Sequence, residues 1–333
     1  MVTANAARRL IQHYVDNFRH LPWRSPPGAP PPNPYLVWLS EVMLQQTTVT
    51  AVKPRFERFL ARWPRLDTLA AAADEDILSE WAGLGYYARA RNLIACAREI
   101  AARGGFPTNA ADLRNLPGIG AYTSAAIAAI AFNEKAPAVD TNVERVIARH
   151  NGWPSPTRRD IESALLAMME DQRPGDIVQA LMDLGAADCR PKQPRCGTCP
   201  LRLDCLAFAS GDPEAFPARR ERKVRPRRHG VALWIERDRH IWLVRRPPSG
   251  LLGGMAALPG DGWGEHARSG GTELAKVRHV FTHFVLDLHV IAAEEPVGDG
   301  WWHPIARMTE AGLPSLYRRA AEIVLERQKR LAA

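Results

Sequence analysis

The chain has 333 residues, 46% of them hydrophobic, and a formal net charge of +8. That length exceeds one ordinary compact domain, so two or three domains with packed cores are expected. Charge or proline interrupts every apolar stretch before it reaches membrane-spanning length, and Met1–Leu10 lacks the apolar core of a signal peptide. A membrane partner is therefore not expected, and a cytoplasmic, nucleoid-associated location is.

In chain order, residues 1–212 read as mainly helical. Pro26–Pro34 is expected to be a loop. Tyr35–Leu44 is an otherwise apolar helical segment that carries Glu41 near its end. A carboxyl group there would be poorly solvated, its pKa would rise, and it would suit a general acid. On position alone it is equally a surface glutamate at a helix end. Apolar residues recur at three- and four-residue spacing in Glu75–Trp81, Arg89–Ala102, Ala121–Phe132, Asn142–Arg149, Ile161–Glu170 and Ile177–Leu184. Cys96 falls on an apolar helix face and reads as a small core residue.

Leu116–Gly120 (LPGIG) lies between a short and a long helix and predicts a helix–hairpin–helix over about 109–132. Gly118 and Gly120 permit a tight turn and leave backbone N–H groups bare at a helix N-terminus, where they can hold a phosphate. Twenty residues on stands Asp140 (VDTNV), a candidate N-cap for the next helix.

Four of the five cysteines, Cys189, Cys196, Cys199 and Cys205, fall within seventeen residues as C-x6-C-x2-C-x5-C. Zinc and an iron–sulfur cluster both want four thiolates, and the spacing alone leaves them open. The stretch 189–228 holds 11 Lys/Arg against 4 Asp/Glu, nearly the whole positive excess. A solvated linker is the ordinary meaning of such a run, but its adjacency to the cysteines favours nucleic acid.

Residues 213–228 read as a basic linker. Beyond it, Val231–Ile235, Ile241–Arg245 and Phe284–Ile291 suit strands, Gly250–Gly254 and Gly260–Gly264 suit turns, and Ser315–Leu331 suits a closing helix. Residues 229–333 are therefore expected to form a small α/β domain.

The LPGIG hairpin, Asp140 and the cysteine spacing, in that order, resemble the endonuclease III superfamily of helix–hairpin–helix glycosylases. LPWR (Leu21–Arg24), WLSEVMLQQT (Trp38–Thr47), GLGYYARARN (Gly83–Asn92) and MDLGA (Met182–Ala186) resemble its adenine-specific MutY family. The resemblance covers roughly residues 8–210, and the C-terminal half resembles that family's Nudix-like domain.

The resemblance implies a mainly α, helix–hairpin–helix glycosylase fold with a 4Fe-4S cluster on the four cysteines. Arg190, Lys192 and Arg195 of the cluster loop would meet DNA phosphates. It implies a monomer acting on double-stranded DNA that contains adenine opposite 8-oxoguanine or guanine. Glu41 would protonate adenine at N7, and Asp140 would stabilise the cationic sugar. Tyr122 and Asn142 would support those two carboxyl groups.

Trp23, Arg24, Leu44 and Gln179 would form the adenine pocket, Gln46 and Tyr86 would enter the duplex, and Leu84 would bind DNA beside them. Phe281–Thr282–His283 would contact 8-oxoguanine. Bifunctional members carry a nucleophilic lysine where this chain has Tyr122, which cannot form a Schiff base, so a monofunctional enzyme is expected. A bifunctional glycosylase/lyase for oxidised pyrimidines and a non-catalytic iron–sulfur DNA-binding module stand as alternatives.

Overall fold

The computed structural model describes every residue except 1–3, 82, 170–171, 219–223, 248–249, 266–270, 282 and 333. The chain forms two compact units, one of residues 1–80 and 89–221, the other of 222–333 with the short segment 81–88.

The first unit is helical. Its elements are α1 (Ala4–Asp16), α2 (Pro34–Leu44), α3 (Val49–Arg62), α4 (Leu66–Ala70), α5 (Asp74–Glu80), α6 (Ala88–Ala102), α7 (Ala110–Leu113), α8 (Ala121–Phe132), α9 (Thr141–His150), α10 (Arg158–Met168), α11 (Pro174–Ala187) and α12 (Leu206–Ala209). Helix starts follow local chemistry. Asn33 accepts the Tyr35 N–H ahead of Pro34 at N1, and Thr157 with Asp160 closes a capping box.

Apolarity all round a helix means burial. In α2, residues 37 to 43 are all buried, and in α8 residues 123 to 131 are. α8 is built of alanines and isoleucines, so α2, α7 and α11 all approach it. The approach of α11 depends on glycine. A Cβ at Gly175 would lie 2.8 Å from the Ala129 carbonyl oxygen and 2.9 Å from Ile130 Cα, and one at Gly185 would lie 2.6 Å from Asn142 Cβ.

Residues 213–218, expected within the linker, contain a 3-10 turn (Pro213–Ala215), and Ala218 N–H donates to the Pro154 carbonyl at 2.7 Å. Residues 219–223 of that expected linker lie outside the described residues.

The second unit is a sheet with a helix. β1 (Arg227–Arg237), β2 (His240–Arg245), β3 (Ala256–Ala257), β4 (Glu273–Val280) and β5 (Val285–Ala293) take the order β3-β2-β1-β5-β4, and β6 (Gly300–Pro304) pairs with β2. Arg227 and Arg228, expected to be linker, begin β1. β1 and β5 are parallel and the other pairs are antiparallel. Alternate residues Leu286, Leu288 and Val290 of β5 face a core closed by α13 (Ser315–Ala332) through Leu316, Ala320 and Val324. Among the described residues no helix lies between β3 and β4.

Gly175→Ala forces a methyl into backbone atoms that cannot rotate away, so the helical unit should lose about 1–3 kcal/mol and several degrees of Tm. Gly197→Ala, with nothing within 4 Å of its Cβ, should leave the same calorimetric transition in place.

Candidate active site

One cleft of about 560 Å³ in the helical unit is lined by Trp23, Arg24, Glu41, Leu44, Gln46, Tyr122, Asp140, Asn142 and Gln179, drawn from α2, α8, the start of α9, α11 and the loops on either side of α2. These nine residues, scattered over 157 positions of sequence, share one wall.

Glu41 stands one turn from the end of α2 with 8% of its surface exposed. Burial is the largest influence on its carboxyl and pushes it up to about 7, which the Tyr122 hydrogen bond and the Arg24 charge only partly oppose. Burial also pushes the Tyr122 hydroxyl well above its ordinary range, with Glu41 and Asp140 adding to the shift. The Tyr122 hydroxyl oxygen also lies 3.9 Å from Met182 Sδ.

Asp140 is the N-cap of α9. Its Oδ1 accepts the N–H groups of Asn142 at 2.9 Å and Val143 at 2.7 Å, and its Oδ2 accepts Asn142 Nδ2 at 2.9 Å. Three donors thus fix the orientation of this carboxylate. Asn142 is held in turn, because Arg145 Nη2 donates to its Oδ1 at 2.9 Å and to the Gly185 carbonyl at 2.7 Å. Arg145 Nε donates to the Cys189 carbonyl at 2.8 Å. The Arg158 guanidinium donates to the Val139 carbonyl at 3.0 Å and braces the approach to Asp140.

The part of the lining around Trp23 and Gln179 is also held by packing and hydrogen bonds. Trp23 is buried and meets Phe56 edge-on at 5.0 Å. Gln179 uses Nε2 to donate to the Gly175 carbonyl within its own helix at 3.1 Å. Arg24 makes a two-pronged pair with Asp183, at 2.5 and 3.1 Å, with 8% of the arginine side chain exposed. Arg19 adds a third donation to Asp183 at 3.1 Å. Asp183, Arg19 and Arg145 line or support the cleft and were not singled out from sequence. Asp183 sat inside the MDLGA motif, but a pairing across 159 residues leaves no local signal.

The hairpin glycines differ from each other. Gly118 has φ +74, which favours glycine, and a Cβ there would lie 2.6 Å from Asn92 Cβ. Gly120 has ordinary extended angles and serves as N-cap of α8, with nothing within 4 Å of where a Cβ would be. Its hydrogen atom keeps the approach to the α8 N-terminus open.

Gln46 (φ 56) and Tyr86 (φ 48) are exposed and in left-handed backbone, which for a non-glycine residue stores strain. Leu84 is buried, 5% exposed, so its side chain is not free to enter a duplex in this conformation.

In the second unit, Phe281 is half-buried against Trp263 (5.2 Å), Phe284 (4.9 Å) and His279 (4.7 Å). Its N–H donates to the Phe284 carbonyl at 2.9 Å, closing a tight β4–β5 hairpin. His283 is exposed on that hairpin, and Thr282 lies outside the described residues.

Cys189, Cys196, Cys199 and Cys205 line a single cavity with Arg149 and His150. Among the described residues no three His, Cys, Asp or Glu side chains converge on a single-ion site. Burial pushes the Cys199 thiol up to about 12 and raises Cys196 and Cys205. Arg149, 2% exposed, donates to the carbonyls of Arg190 at 2.6 Å, Pro191 at 3.2 Å and Phe216 at 2.9 Å, and its Nη1 stands 3.5 Å from Cys189 Sγ. Arg9 grips the far side, donating to the Pro200 carbonyl and to Asp204. Lys192 and Arg195 are exposed on this loop, whereas Arg190 is half-buried and donates to the Gln193 carbonyl. Cys96 is buried in the core, away from the other four.

Residues 39–170 match the HhH-GPD superfamily of base excision DNA repair proteins, and residues 230–322 match the NUDIX domain. The chain is 32% identical to the adenine DNA glycosylase of Rattus norvegicus over 85% of its own length and 69% of that protein's. It is 28% identical to that of Buchnera aphidicola (subsp. Schizaphis graminum) over 93% and 96%. With the Arabidopsis thaliana protein it shares 35% identity over 75% of its length but spans only 46% of that relative. A thermostable thymine-DNA glycosylase superposes on 61% of this chain and 95% of its own, with a TM-score of 0.55 and 26% identity.

Asp183→Ala should strand the buried Arg24 cation and lower the unfolding free energy by about 3–5 kcal/mol in urea titration. Asp204→Ala breaks the pair with Arg9, in which both side chains are about a third exposed, and should cost about 1 kcal/mol or less.

Proposed function

The chain belongs to the adenine DNA glycosylase family, and from that membership we propose that it removes adenine mispaired with 8-oxoguanine or guanine in duplex DNA, without cutting the strand. The observation that carries the reading is the pairing, in one cleft, of a carboxyl group raised by burial and a second carboxylate held by three N–H donors.

Adenine is turned out of the duplex into the cleft, between Trp23 and Leu44, with Arg24 and Gln179 at its edges. Glu41 gives its proton to adenine N7. The bond from C1′ to N9 then breaks, its electron pair leaves with the base, and adenine departs neutral. The oxocarbenium charge on the sugar faces the Asp140 carboxylate, whose orientation Asn142 fixes. Water adds to C1′, and Glu41, now ionised, takes up the proton released. Tyr122 hydrogen-bonds Glu41 throughout; as a tyrosine it offers no amine for a covalent sugar adduct, which supports a monofunctional reaction.

Phe281, Thr282 and His283 are assigned to 8-oxoguanine. Phe281 anchors the hairpin in an aromatic cluster, leaving the exposed His283 to meet the base. Nudix hydrolysis is not part of the proposal. The stretch Gly253–Lys276 holds only Glu265 and Glu273, with no paired glutamates for Mg²⁺. Gln46 and Tyr86 are assigned to the duplex, along with the backbone around Leu84. Gly118 and Gly120 present the α8 N-terminus to a phosphate.

Cys189, Cys196, Cys199 and Cys205 are assigned to a 4Fe-4S cluster. All four line a shared cavity, and buried thiols held this high need bound cations to become thiolates. The cluster, when bound, supplies four iron-to-sulfur ties that shape the loop bearing Lys192 and Arg195. The chain is assigned to act as a monomer.

The test is single-turnover incubation with duplex carrying adenine opposite 8-oxoguanine. A strand break should appear only after alkali, and borohydride should trap no protein–DNA adduct. Adenine release should fall as pH rises through about 7, because the acid must be protonated and Glu41 loses its proton there. Glu41→Gln should keep duplex affinity and lose at least about a thousandfold in rate. No adenine release by the wild type refutes the proposal, and a Glu41→Gln enzyme of normal rate refutes the assignment of the acid.

Purified protein should be yellow-brown, with about four iron atoms per chain. Cys199→Ser should bleach it. A colourless protein holding zinc would overturn the cluster assignment.

A further inference from the structure

α6 begins with an arginine where a cation is out of place. A helix N-terminus carries partial positive charge, so Arg89, second residue of α6, opposes the dipole of its own helix. Its guanidinium reaches instead to the negative end of another helix. Nη1 donates to the carbonyls of Val42 at 3.0 Å and Met43 at 3.1 Å, and Nη2 donates to Thr47 Oγ1 at 3.4 Å.

Val42 and Met43 are the two residues after Glu41. They belong to the last turn of α2, where carbonyls lack intrahelical donors. That end has no glycine closure. Gln45, the cap residue, is non-helical (φ −55, ψ 113), and Gln46 follows in left-handed backbone. Thr47 N–H meets the Leu44 carbonyl at 3.1 Å. The carbonyls just after the acid are met by Arg89.

We infer that Arg89 is a positioning residue for adenine excision: its donations to Val42, Met43 and Thr47 fix the last turn of α2 and so set where the Glu41 carboxyl stands in the cleft. The inference rests on the assignment of Glu41 as the acid. A planar guanidinium with several fixed donors suits three acceptors at once, and an ammonium group lacks that fork. The effect is geometric. The charged or titratable groups acting on Glu41 are Tyr122, Arg24 and Asp140, and Arg89 is not among them. Arg89 should therefore govern the rate of the chemical step more than the affinity for DNA.

The experiment uses full-length Arg89→Met and Arg89→Lys. In single turnover on the adenine:8-oxoguanine duplex, Arg89→Met should lose about 100-fold in excision rate, the scale of a catalytic group displaced by an ångström. Its affinity for the same duplex should stay within about threefold. Arg89→Lys should recover part of the rate. Hydrogen exchange at residues 42–47 should speed up in Arg89→Met while the rest of the chain matches the wild type.

A folded Arg89→Met with wild-type rate overturns the inference, even if exchange loosens, and so does unchanged exchange at 42–47. Should Arg89→Met not fold, Thr47→Val, which removes one acceptor and leaves Arg89, should lose several-fold in rate; wild-type rates in both Thr47→Val and Arg89→Lys overturn it. Wild-type protein that releases no adenine refutes the proposed function, and the exchange result still decides what Arg89 does to α2.

Discussion

The helical unit is organised around burying a carboxyl group that its helix would otherwise reject. α2 is apolar on every side, so it packs with all of its faces covered, and Glu41 goes under with it. An isolated ionised carboxylate there would be very costly, and the group responds by holding its proton nearer neutrality. What surrounds it is tuned to stop short of full compensation. Tyr122 and Arg24 pull the carboxyl down, but Arg24 is itself committed to Asp183 by two hydrogen bonds. A freely pairing arginine would turn Glu41 into an ordinary salt-bridged carboxylate. The Asp183 partnership keeps that cation close enough to be felt and too occupied to neutralise the acid.

The second carboxylate is treated in the opposite way. Asp140 sits where a helix start supplies bare N–H groups, and its oxygens are spent on them. The two carboxyl groups therefore differ because one ends an apolar helix and the other begins a polar one. α9 carries this contrast along its length. Its first residues hold Asp140, and Arg145 and Arg149, four apart and so on one face, hold the backbone of the cysteine loop at Cys189, Arg190 and Pro191. The loop and the carboxylate are thus braced by one rigid element, which explains why a cysteine cluster outside the cleft belongs in the same unit.

Glu41 on position alone read equally as a surface glutamate and drew its role from the resemblance, whereas the N-cap at Asp140, the hairpin glycines and the cysteine spacing were legible in local sequence. The pairing of Arg24 with Asp183 and the grip of Arg89 on α2 were not, because they join residues far apart in sequence and arise only when helices pack. β4 was missed for a different reason. Lys276 and Arg278 alternate with Ala275 and Val277, but a bulge between Glu273 and Ala275 breaks the period. Its charged face turns outward, where Arg278 pairs with the buried Asp287 of β5. β6 (Gly300–Pro304) ends in proline and starts in glycine, residues that weaken a strand reading, yet the pairing of Trp302 with Trp242 holds it to β2. Leu84, within the GLGYYARARN motif, packs its side chain inward.

In the second unit the strands themselves carry the β4–β5 hairpin. In this sheet the β4–β5 register runs from Glu273 opposite Ile291 to Val280 opposite Val285. The hairpin beyond it is closed by the Phe281 to Phe284 hydrogen bond, and Phe281 is locked among Trp263, Phe284 and His279. One of those anchors, Trp263, comes from the segment between β3 and β4. The loop's geometry is set by the strands that carry it and by one aromatic anchor. Support for the hairpin thus lies in residues other than His283, which is exposed on it. The same separation of support from chemistry holds in the helical unit, where the groups that would touch adenine are few and the groups that hold them in place, Arg89, Arg145 and Asp183 among them, bind chiefly protein.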